Sequence, residues 1–235
     1  MKSALAYNKD YAFNAICPYY TMFPLEYPLG ILKQYRHDNP LILDPFCGRG
    51  TTIYAARKLN LRSYGLDTSL IAASIAQAKV ASAKLNAVLE LAENLLATKP
   101  SDVPDTEFFR RGFSPSTLLE ICALREGLQK ARSTDTAAIL RAAALGCLHG
   151  PMNVSGNSSY FSNQMPRTFA SKPDYSVRFW RDRGMKPPVV SVLKVLEKKL
   201  ARIHDLDTPT PGLLTDIKCS DARSAASYRR IVDCR

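Results

Sequence analysis

The feature that most limits how this chain can fold is the segment PLILDPFCGRGTT at residues 40–52. Three consecutive aliphatic residues are typical of a buried parallel strand, and Asp44 follows them directly. Gly48 and Gly50 permit a tight turn, and the run that starts at Thr51 is typical of a helix start. A strand, a glycine turn and a helix form the nucleotide pocket of doubly wound sheets, so the sequence predicts an α/β fold with such a pocket.

The composition sets the broad class of the chain. With 235 residues and 46% apolar content, the chain is long enough to bury the core of one α/β domain that carries an insertion. Lysine and arginine number 32 against 21 acids, which gives a net charge of +11. A polyanionic partner, most simply nucleic acid, accounts for this surplus, and so does a generically basic surface.

The cysteines and the hydropathy indicate a reduced intracellular protein. The six cysteines are scattered, without a Cys-x-x-Cys pair or a histidine cluster, so we expect free thiols and no metal site. No apolar run approaches the roughly 18 residues of a membrane span, and the N-terminus lacks the layout of a signal peptide. We therefore expect a cytoplasmic protein without a membrane partner.

Downstream of the glycine turn, strands and helices alternate. Residues 51–59 predict a helix, and RSYGLD at 62–67 predicts a second strand that ends on an aspartate. Residues 68–84 predict a helix that is capped by Thr68 or Ser69, and the helical pattern continues in NAVLELAENLL. This order implies a right-handed parallel unit.

The middle of the chain departs from this order and predicts a helical insertion. One helix is predicted at 114–132, with Ser114 as its cap, and a second in DTAAILRAAALGCLHG. Residues 151–188 form an irregular polar and aromatic stretch, and residues 187–203 predict a third helix. The insertion interrupts the parallel sheet.

The sheet pattern resumes near the C-terminus. GLLTDIKCSDAR at 212–223 predicts a strand that runs into a turn, and RRIVDC at 229–234 predicts the start of another strand. The sequence thus predicts three parts. Residues 1–99 hold the segment before the first strand and a first α/β unit, and residues 100–205 form a helical insertion that is basic and aromatic. Residues 206–235 return to the sheet, which stops at about strand four.

The residues around the glycine turn distinguish among nucleotide pockets. Ile53 stands where a dinucleotide fingerprint has its third glycine, and no Gly-Lys-Ser/Thr follows as in a P-loop. Asp44 at the strand tip would repel a pyrophosphate but accept from an ammonium group, and Asp67 at the next strand end is placed for ribose hydroxyls. These two acids predict S-adenosylmethionine as the cofactor, and a Rossmann-like turn for another nucleotide is the alternative.

Several segments resemble the DNA amino-methyltransferases, which methylate cytosine N4 or adenine N6 with S-adenosylmethionine. DPFCGRGTT at 44–52 is similar to motif I of that family, and CPYYTMFPLEYP at 17–28 resembles motif X, which lies beside the methionine part of the cofactor. Asp67 matches the acid of motif II, and CSDAR at 219–223 resembles motif III, whose acid contacts the adenine amino group. The cofactor-binding residues that the resemblance implies are Tyr20, Phe23, Pro24, Asp44, Pro45, Phe46, Gly48, Gly50, Thr51, Asp67 and Asp221.

The resemblance also carries expectations for fold and function. It implies a Rossmann-like methyltransferase fold with a parallel sheet, DNA as the partner, and a place in restriction–modification. Within the insertion, residues 158–180 resemble a subset of bacterial N4-cytosine enzymes, so cytosine N4 is the expected target. The expected activity is therefore that of an S-adenosylmethionine-dependent, site-specific DNA methyltransferase.

The catalytic motif of this family does not occur in the sequence. The family uses Asp/Asn/Ser-Pro-Pro-Tyr/Phe, whose polar groups accept from the target amine and whose ring stacks on the flipped base. The Pro-Pro pair at 187–188 is preceded by Lys186 and followed by Val189, which indicates a helix start. We therefore assign no catalytic residue, and we expect a truncated form or one half of a split enzyme that a second polypeptide completes.

Basic and aromatic residues interleave between Tyr160 and Lys186. Cations for phosphates and rings for unstacked bases are expected of a nucleic-acid surface, and the alternative is a loop whose rings pack into the core. The DNA-binding residues predicted here are Arg167, Lys172, Arg178, Arg181 and Arg183.

Two other functions stay open. Guanine-N2 methyltransferases of tRNA carry a similar DPFCGxG turn, but they imply an added RNA-binding domain such as a THUMP domain, and nothing before residue 40 has the length for one. The other candidate is a non-catalytic DNA-binding or specificity subunit that retains the cofactor pocket.

Overall fold

The computed structural model describes residues 9–150, 159–166, 173–203 and 215–228. These residues divide into two compact units, which are described separately. Unit 1 is drawn from Met1–Lys84, Thr134–Ala142 and Ile203–Arg235, and unit 2 from Leu85–Ser133 and Ala143–Arg202.

Unit 1 contains a parallel sheet with helices packed on it. Its helices are α1 (Lys9–Asn14), α2 (Glu26–Gln34), α3 (Thr51–Lys58) and α4 (Leu70–Val80), with short 3-10 turns at Arg36–Asp38 and Ala225–Tyr228. Its strands are β1 (Leu41–Asp44), β2 (Arg62–Asp67) and β3 (Thr215–Cys219).

The three strands are all parallel and lie in the order β1-β2-β3. One row of the sheet aligns Asp44 with Gly65 and Gly65 with Ile217, so the carboxyl ends of β1 and β2 lie at the same edge. The strands at 62–67 and within 212–223 are confirmed, as is the predicted α/β fold with a parallel sheet. The architecture is consistent with a Rossmann-like methyltransferase fold.

Small residues of α4 let this helix approach the glycine turn closely. Ala73 and Ala76 of α4 pack with Cys47, Ile53 and Ile217 in one buried cluster. Gly50, which caps the start of α3, has a φ of +75°, and a Cβ atom added to it would lie 2.8 Å from the Cβ of Ala76. Gly50 is therefore required both by its left-handed backbone and by the contact with α4.

Tertiary hydrogen bonds end α4 four residues before the predicted boundary at residue 84. The guanidinium of Arg57 donates to the carbonyl oxygens of Lys79 and Ala81, at 2.7 and 2.8 Å. The next amide, Ser82 N, donates to the carboxylate of Asp135 at 2.9 Å. Since these groups are satisfied outside the helix, the helical pattern of the sequence does not continue as one element.

Unit 2 is helical in its described residues. Its elements are α5 (Leu85–Leu96), α6 (Glu107–Gly112), α7 (Pro115–Lys130), α9 (Pro173–Asp182) and α10 (Val192–Ala201), and α8 (Asp135–Leu145) has residues in both units. The predicted cap of α7 is confirmed, because Ser114 Oγ accepts from Thr117 N at 3.3 Å.

Trp180 anchors α9 in unit 2. Its side chain is fully buried, its Nε1 donates to the carbonyl oxygen of Gln164 at 2.6 Å, and its ring lies 5.5 Å from the ring of Phe108 in α6. Asn163 N donates to the carbonyl oxygen of Gly112 at 2.6 Å. These contacts fix the region around residues 159–166 against α6 and α9.

Two expectations for this region were wrong. Residues 151–188 were expected to be irregular, but α9 lies among them; Pro173 in its first turn and the buried face of Ser176, Val177 and Trp180 are helical signals. The third predicted helix starts five residues late, at Val192, because Ser191 caps it by accepting from Lys194 N at 3.4 Å. The strand expected at 229–234 lies outside the described residues.

The described residues contain no helix that is long and apolar enough to cross a membrane. Among the described residues five cysteines are free thiols, and four of these, Cys17, Cys47, Cys122 and Cys147, are buried. Within the ranges that the structure covers, no three His, Cys, Asp or Glu side chains are grouped so that they could hold a metal ion.

The close approach of α3 and α4 gives a stability prediction. Gly50→Ala places a Cβ at a positive φ and against Ala76, so we expect it to lower the free energy of unfolding by about 2 kcal/mol or more. Gly30→Ala is the matched control, because Gly30 lies within α2 and a Cβ there meets nothing within 4 Å; we expect it to be neutral or slightly stabilising. Urea unfolding followed by circular dichroism measures both. A Gly50→Ala protein as stable as the parent would contradict the packing described here.

Candidate functional site

A cleft of about 410 Å³ lies in unit 1 where β1 ends and the glycine turn begins. This volume is within the roughly 300–1,000 Å³ typical of small-molecule sites. The cleft is lined by residues 21–23, by Leu43 and Asp44 of β1, and by residues 46–49, 51 and 52. Ligands of open α/β sheets bind at this kind of position, beyond the carboxyl ends of the strands.

The carboxylate of Asp67 holds the glycine turn in place. Its Oδ2 accepts from Gly48 N at 2.9 Å, and its Oδ1 accepts from Ser69 N at 2.8 Å at the start of α4. Cys47 N donates to the carbonyl oxygen of Leu66 at 2.8 Å, so two bonds join the turn to the end of β2. A carboxylate has about four acceptor sites, which leaves Asp67 capacity for a ligand hydroxyl.

Gly48 presents bare backbone to the cleft. Its φ is +52°, and a Cβ atom added to it would meet nothing within 4 Å. Gly48 also lines the cleft, whereas Gly50 is buried against α4 and does not. The open space beside Gly48 is suited to close approach by a ligand.

Asp44 places a carboxylate at the cleft. Its Oδ1 accepts from Phe46 N at 3.2 Å, and its Oδ2 has no hydrogen-bond partner among the described residues. Burial, followed by the negative charges of Asp44 and Asp67, raises the pKa of the Cys47 thiol to about 12. Asp44 is therefore available to accept from a ligand, and the neighbouring thiol stays protonated and is not a nucleophile.

Arg49 ties the segment that resembles motif X to the glycine turn. Its Nη1 donates to the carbonyl oxygen of Cys17 at 3.0 Å, and its Nη2 lies 3.0 Å from Met22 Sδ. Tyr19 Oη forms a 2.8 Å hydrogen bond with Ser69 Oγ, which adds a second link to the start of α4. These contacts bring residues 21–23 to the cleft.

The cleft brings together part of the predicted cofactor set. Its lining includes Phe23, Asp44, Phe46, Gly48 and Thr51. It does not include Tyr20, Pro24, Pro45, Gly50, Asp67 or Asp221. The rings of Phe23 and Phe46 are 47% and 79% exposed, so both have apolar surface free for a ligand.

Asp221 follows β3 and closes a local turn. Its Oδ1 accepts from Arg223 N at 2.9 Å, and its Oδ2 is paired with Arg223 Nη2 at 2.7 Å. The hydrogen bonds from the Arg223 side chain, and then the one from its backbone, lower the pKa of Asp221 to about 2. This geometry is that of a residue that closes a local turn.

Sequence reasoning missed Lys79, which is fully buried in α4. Its Nζ donates to Asn14 Oδ1 at 2.8 Å, and burial, followed by the charge of Arg49, lowers its pKa to about 7. The signal was present, since Lys79 lies three and four residues after Ala76 and Ile75 on the buried face of α4. Arg49, which the sequence analysis also did not single out, lines the cleft itself.

The predicted DNA-binding residues lie partly on α9 of unit 2. Arg178 is exposed, Arg183 stacks over the Phe179 ring at 4.1 Å, and Arg181 is bound to both oxygens of Glu107 at 2.7 and 2.8 Å. An open cleft of about 320 Å³ beside them is lined by Arg178 and Arg181. Arg167 and Lys172 lie outside the described residues.

The aromatic residues of the same region do not form one surface. Phe161 and Trp180 are fully buried and pack inside unit 2, as the alternative for this stretch anticipated. Tyr175 is exposed, and Phe179 is half-buried beneath Arg183. Base stacking by Phe161 and Trp180 is therefore excluded in this conformation, whereas Arg178 on α9 is exposed.

Comparison with known proteins gives a family match in the N-terminal part of the chain. A family model described as DNA methylase matches residues 5–78, a range that holds the motif X-like segment, the glycine turn, Asp44 and Asp67. The match supports the DNA N4/N6 methyltransferase family and confirms the resemblance for the segments that lie within residues 5–78. No curated protein and no solved structure matches the chain.

The buried Lys79 gives a pH prediction. Its pKa is about 7 in the folded state and near 10.5 when unfolded, so between these values the unfolded state binds more protons and stability rises with pH. Lys79→Met removes this titration, and we expect the stability of the parent relative to Lys79→Met to be lowest below pH 7 and to improve toward pH 10. Urea unfolding at a series of pH values measures it, with the exposed Lys33→Met on α2 as control. A flat difference curve would show that Lys79 titrates normally.

Proposed function

We propose, from the match of residues 5–78 to the DNA N4/N6 methyltransferase family, that this chain binds S-adenosylmethionine at the glycine turn and serves methyl transfer to an amine of DNA. The observation that carries the proposal is the cleft beside Gly48, with the Asp44 carboxylate in its lining. We place the target at cytosine N4, because of the resemblance of residues 158–180, and the setting in restriction–modification.

The residues of the cleft fit such a cofactor. Asp44 would accept from the ammonium group of the amino-acid part. Asp67, which holds the glycine turn but does not line the cleft, would use its remaining lone pairs for ribose hydroxyls. The open backbone of Gly48 allows close approach, and the exposed rings of Phe23 and Phe46 offer apolar contact. The sulfonium of the bound cofactor supplies an electrophilic methyl group, and the chain's own part is to orient it.

For DNA we propose α9 as a contact surface. Arg178 is exposed and unpaired among the described side chains, and it lies one turn from Arg181 on the same helix. The net charge of +11 supports a polyanionic partner. Arg181 is held by Glu107, so its role is to position α9 as well as to add positive charge. Arg167, Lys172 and Arg183 complete the proposed set.

We further propose that the catalytic tetrapeptide comes from a second polypeptide. The Asp/Asn/Ser-Pro-Pro-Tyr/Phe motif does not occur in the sequence. Among the described strands β1 pairs only with β2, and Leu43 on β1 is 45% exposed, which leaves an edge where another strand can pair. Methylation of DNA by the isolated chain would contradict this part of the proposal and leave cofactor binding untouched.

Cofactor binding is tested at Asp44. Asp44→Asn keeps the shape and the acceptor for Phe46 N but removes the charge, so we expect the affinity for S-adenosylmethionine to fall about tenfold or more. Asp38→Asn, an exposed acid outside the cleft, is the matched control and should bind as the parent does. Isothermal titration calorimetry measures both. Absence of binding by the parent would refute the proposal, and DNA binding without cofactor binding would favour a non-catalytic DNA-binding subunit.

DNA contact is tested at Arg178. If Arg178 neutralises one phosphate, Arg178→Gln lowers the slope of log affinity against log salt by about 0.9. Lys130→Gln, which removes one exposed positive charge from α7, should leave the slope unchanged. Fluorescence anisotropy of a labelled duplex over a range of salt concentrations gives the slopes. Equal slopes for the parent and Arg178→Gln would exclude this residue from the DNA surface.

A further inference from the structure

Arg49 lies between Gly48 and Gly50 in the turn, and the cofactor contacts proposed above do not involve its positive charge. Its guanidinium is half-buried and lines the cleft. Cys17 and Met22 each accept one of its N–H groups. The Nε atom is buried and has no hydrogen-bond partner among the described residues, although buried polar atoms are normally satisfied.

No carboxylate is in direct contact with this guanidinium among the described residues. Within the described residues Arg49 makes no ion pair, because both of its hydrogen-bond acceptors are uncharged. Lys79, whose charge also acts on this region, is fully buried and donates to the neutral amide of Asn14. Two cations that are withdrawn from water and that repel each other cost free energy unless an anion joins them. Among the described residues, neither cation is paired with a carboxylate.

The cleft also contains a charge of the opposite sign. Asp44 lines it together with Arg49, so the lining offers both a carboxylate and a guanidinium. A phosphate would be attracted by Arg49 but repelled by Asp44. A zwitterion satisfies both, and the α-amino acid group is the zwitterion of common metabolites.

We propose that Arg49 binds the carboxylate of the amino-acid part of S-adenosylmethionine while Asp44 holds its ammonium group. This inference rests on the proposed function and deepens it by assigning the second charge of the ligand. Arg49 has five N–H bonds; two are engaged and the Nε–H is buried, so one N–H on each Nη atom remains for the ligand. The bonds to Cys17 and Met22 hold the side chain in position before the ligand arrives, which lowers the entropy cost of binding.

A structural role for Arg49 must be separated from ligand binding, since the same side chain holds residues 17–22 against the turn. The separation is made by two ligands that differ only in the carboxylate. S-Adenosylmethionine has it, and decarboxylated S-adenosylmethionine keeps the adenosine, the sulfonium and the amine but lacks it. A loosened turn weakens both ligands, whereas a lost carboxylate contact weakens only the first.

The experiment is isothermal titration calorimetry of the full chain with both ligands. We expect the parent to bind S-adenosylmethionine about tenfold to a hundredfold more tightly than the decarboxylated compound. Arg49→Gln should lose this preference by weakening S-adenosylmethionine alone, to within about twofold of the other ligand. Arg49→Lys keeps the charge without the planar fork and should retain part of the preference.

Each other outcome has a defined meaning. Equal affinity of the parent for the two ligands overturns the inference without any variant, even if Arg49→Gln does not fold. Equal weakening of both ligands by Arg49→Gln also overturns it and assigns Arg49 a structural role only. If the parent binds neither ligand, the proposed function itself fails; binding of both ligands without discrimination leaves that function intact.

Discussion

The candidate site depends on one carboxylate. Asp67 accepts from Gly48 N and Ser69 N at the same time, so it joins the glycine turn, the end of β2 and the start of α4. Hydrogen bonds to a charged acceptor are about twice as strong as neutral ones, and here one carboxylate makes them to two separate segments. Because β2 is the central strand of the described sheet, the turn is fixed to the most restrained part of unit 1. The part of the glycine turn that lines the cleft is therefore held in position before a ligand binds.

The two glycines of the turn satisfy different requirements. Gly50 faces inward, where Ala76 leaves no room for a side chain, and its role is to let α3 and α4 approach each other. Gly48 faces open space and belongs to the cleft. The Gly-x-Gly pair thus meets two separate requirements: Gly50 allows the helices to pack, and Gly48 leaves the cleft open to a ligand. This explains why a glycine pair after a strand predicts the fold more securely than it predicts any particular ligand.

Local signals in the sequence predicted most of the fold. The aliphatic run before Asp44, the caps at Ser69 and Ser114 and the strand at 62–67 all depend on neighbours in the chain, and all are present. Long-range contacts decided the rest. Arg57 and Asp135 end α4 early, and α9 forms where its buried face, with Trp180, packs against α6. For the site, the sequence placed the turn and Asp44 at the cleft, but Lys79 was missed, because a lysine on the same helical face as Ile75 and Ala76 is usually exposed at its charged end and here is fully buried.

The charged side chains around the turn lower the stability of the unit but suit it to binding a charged ligand. A stable interior would pair or omit Lys79 and Arg49, yet both are held with uncharged partners among the described residues. Asp44 does not cancel them, since its ordered contact is to the backbone of Phe46. The unit therefore carries separated charges of both signs beside one cleft, at a cost in stability. Such an arrangement gains most from a ligand that is itself charged at both ends, because each ligand charge then removes a desolvation penalty that the empty fold already bears.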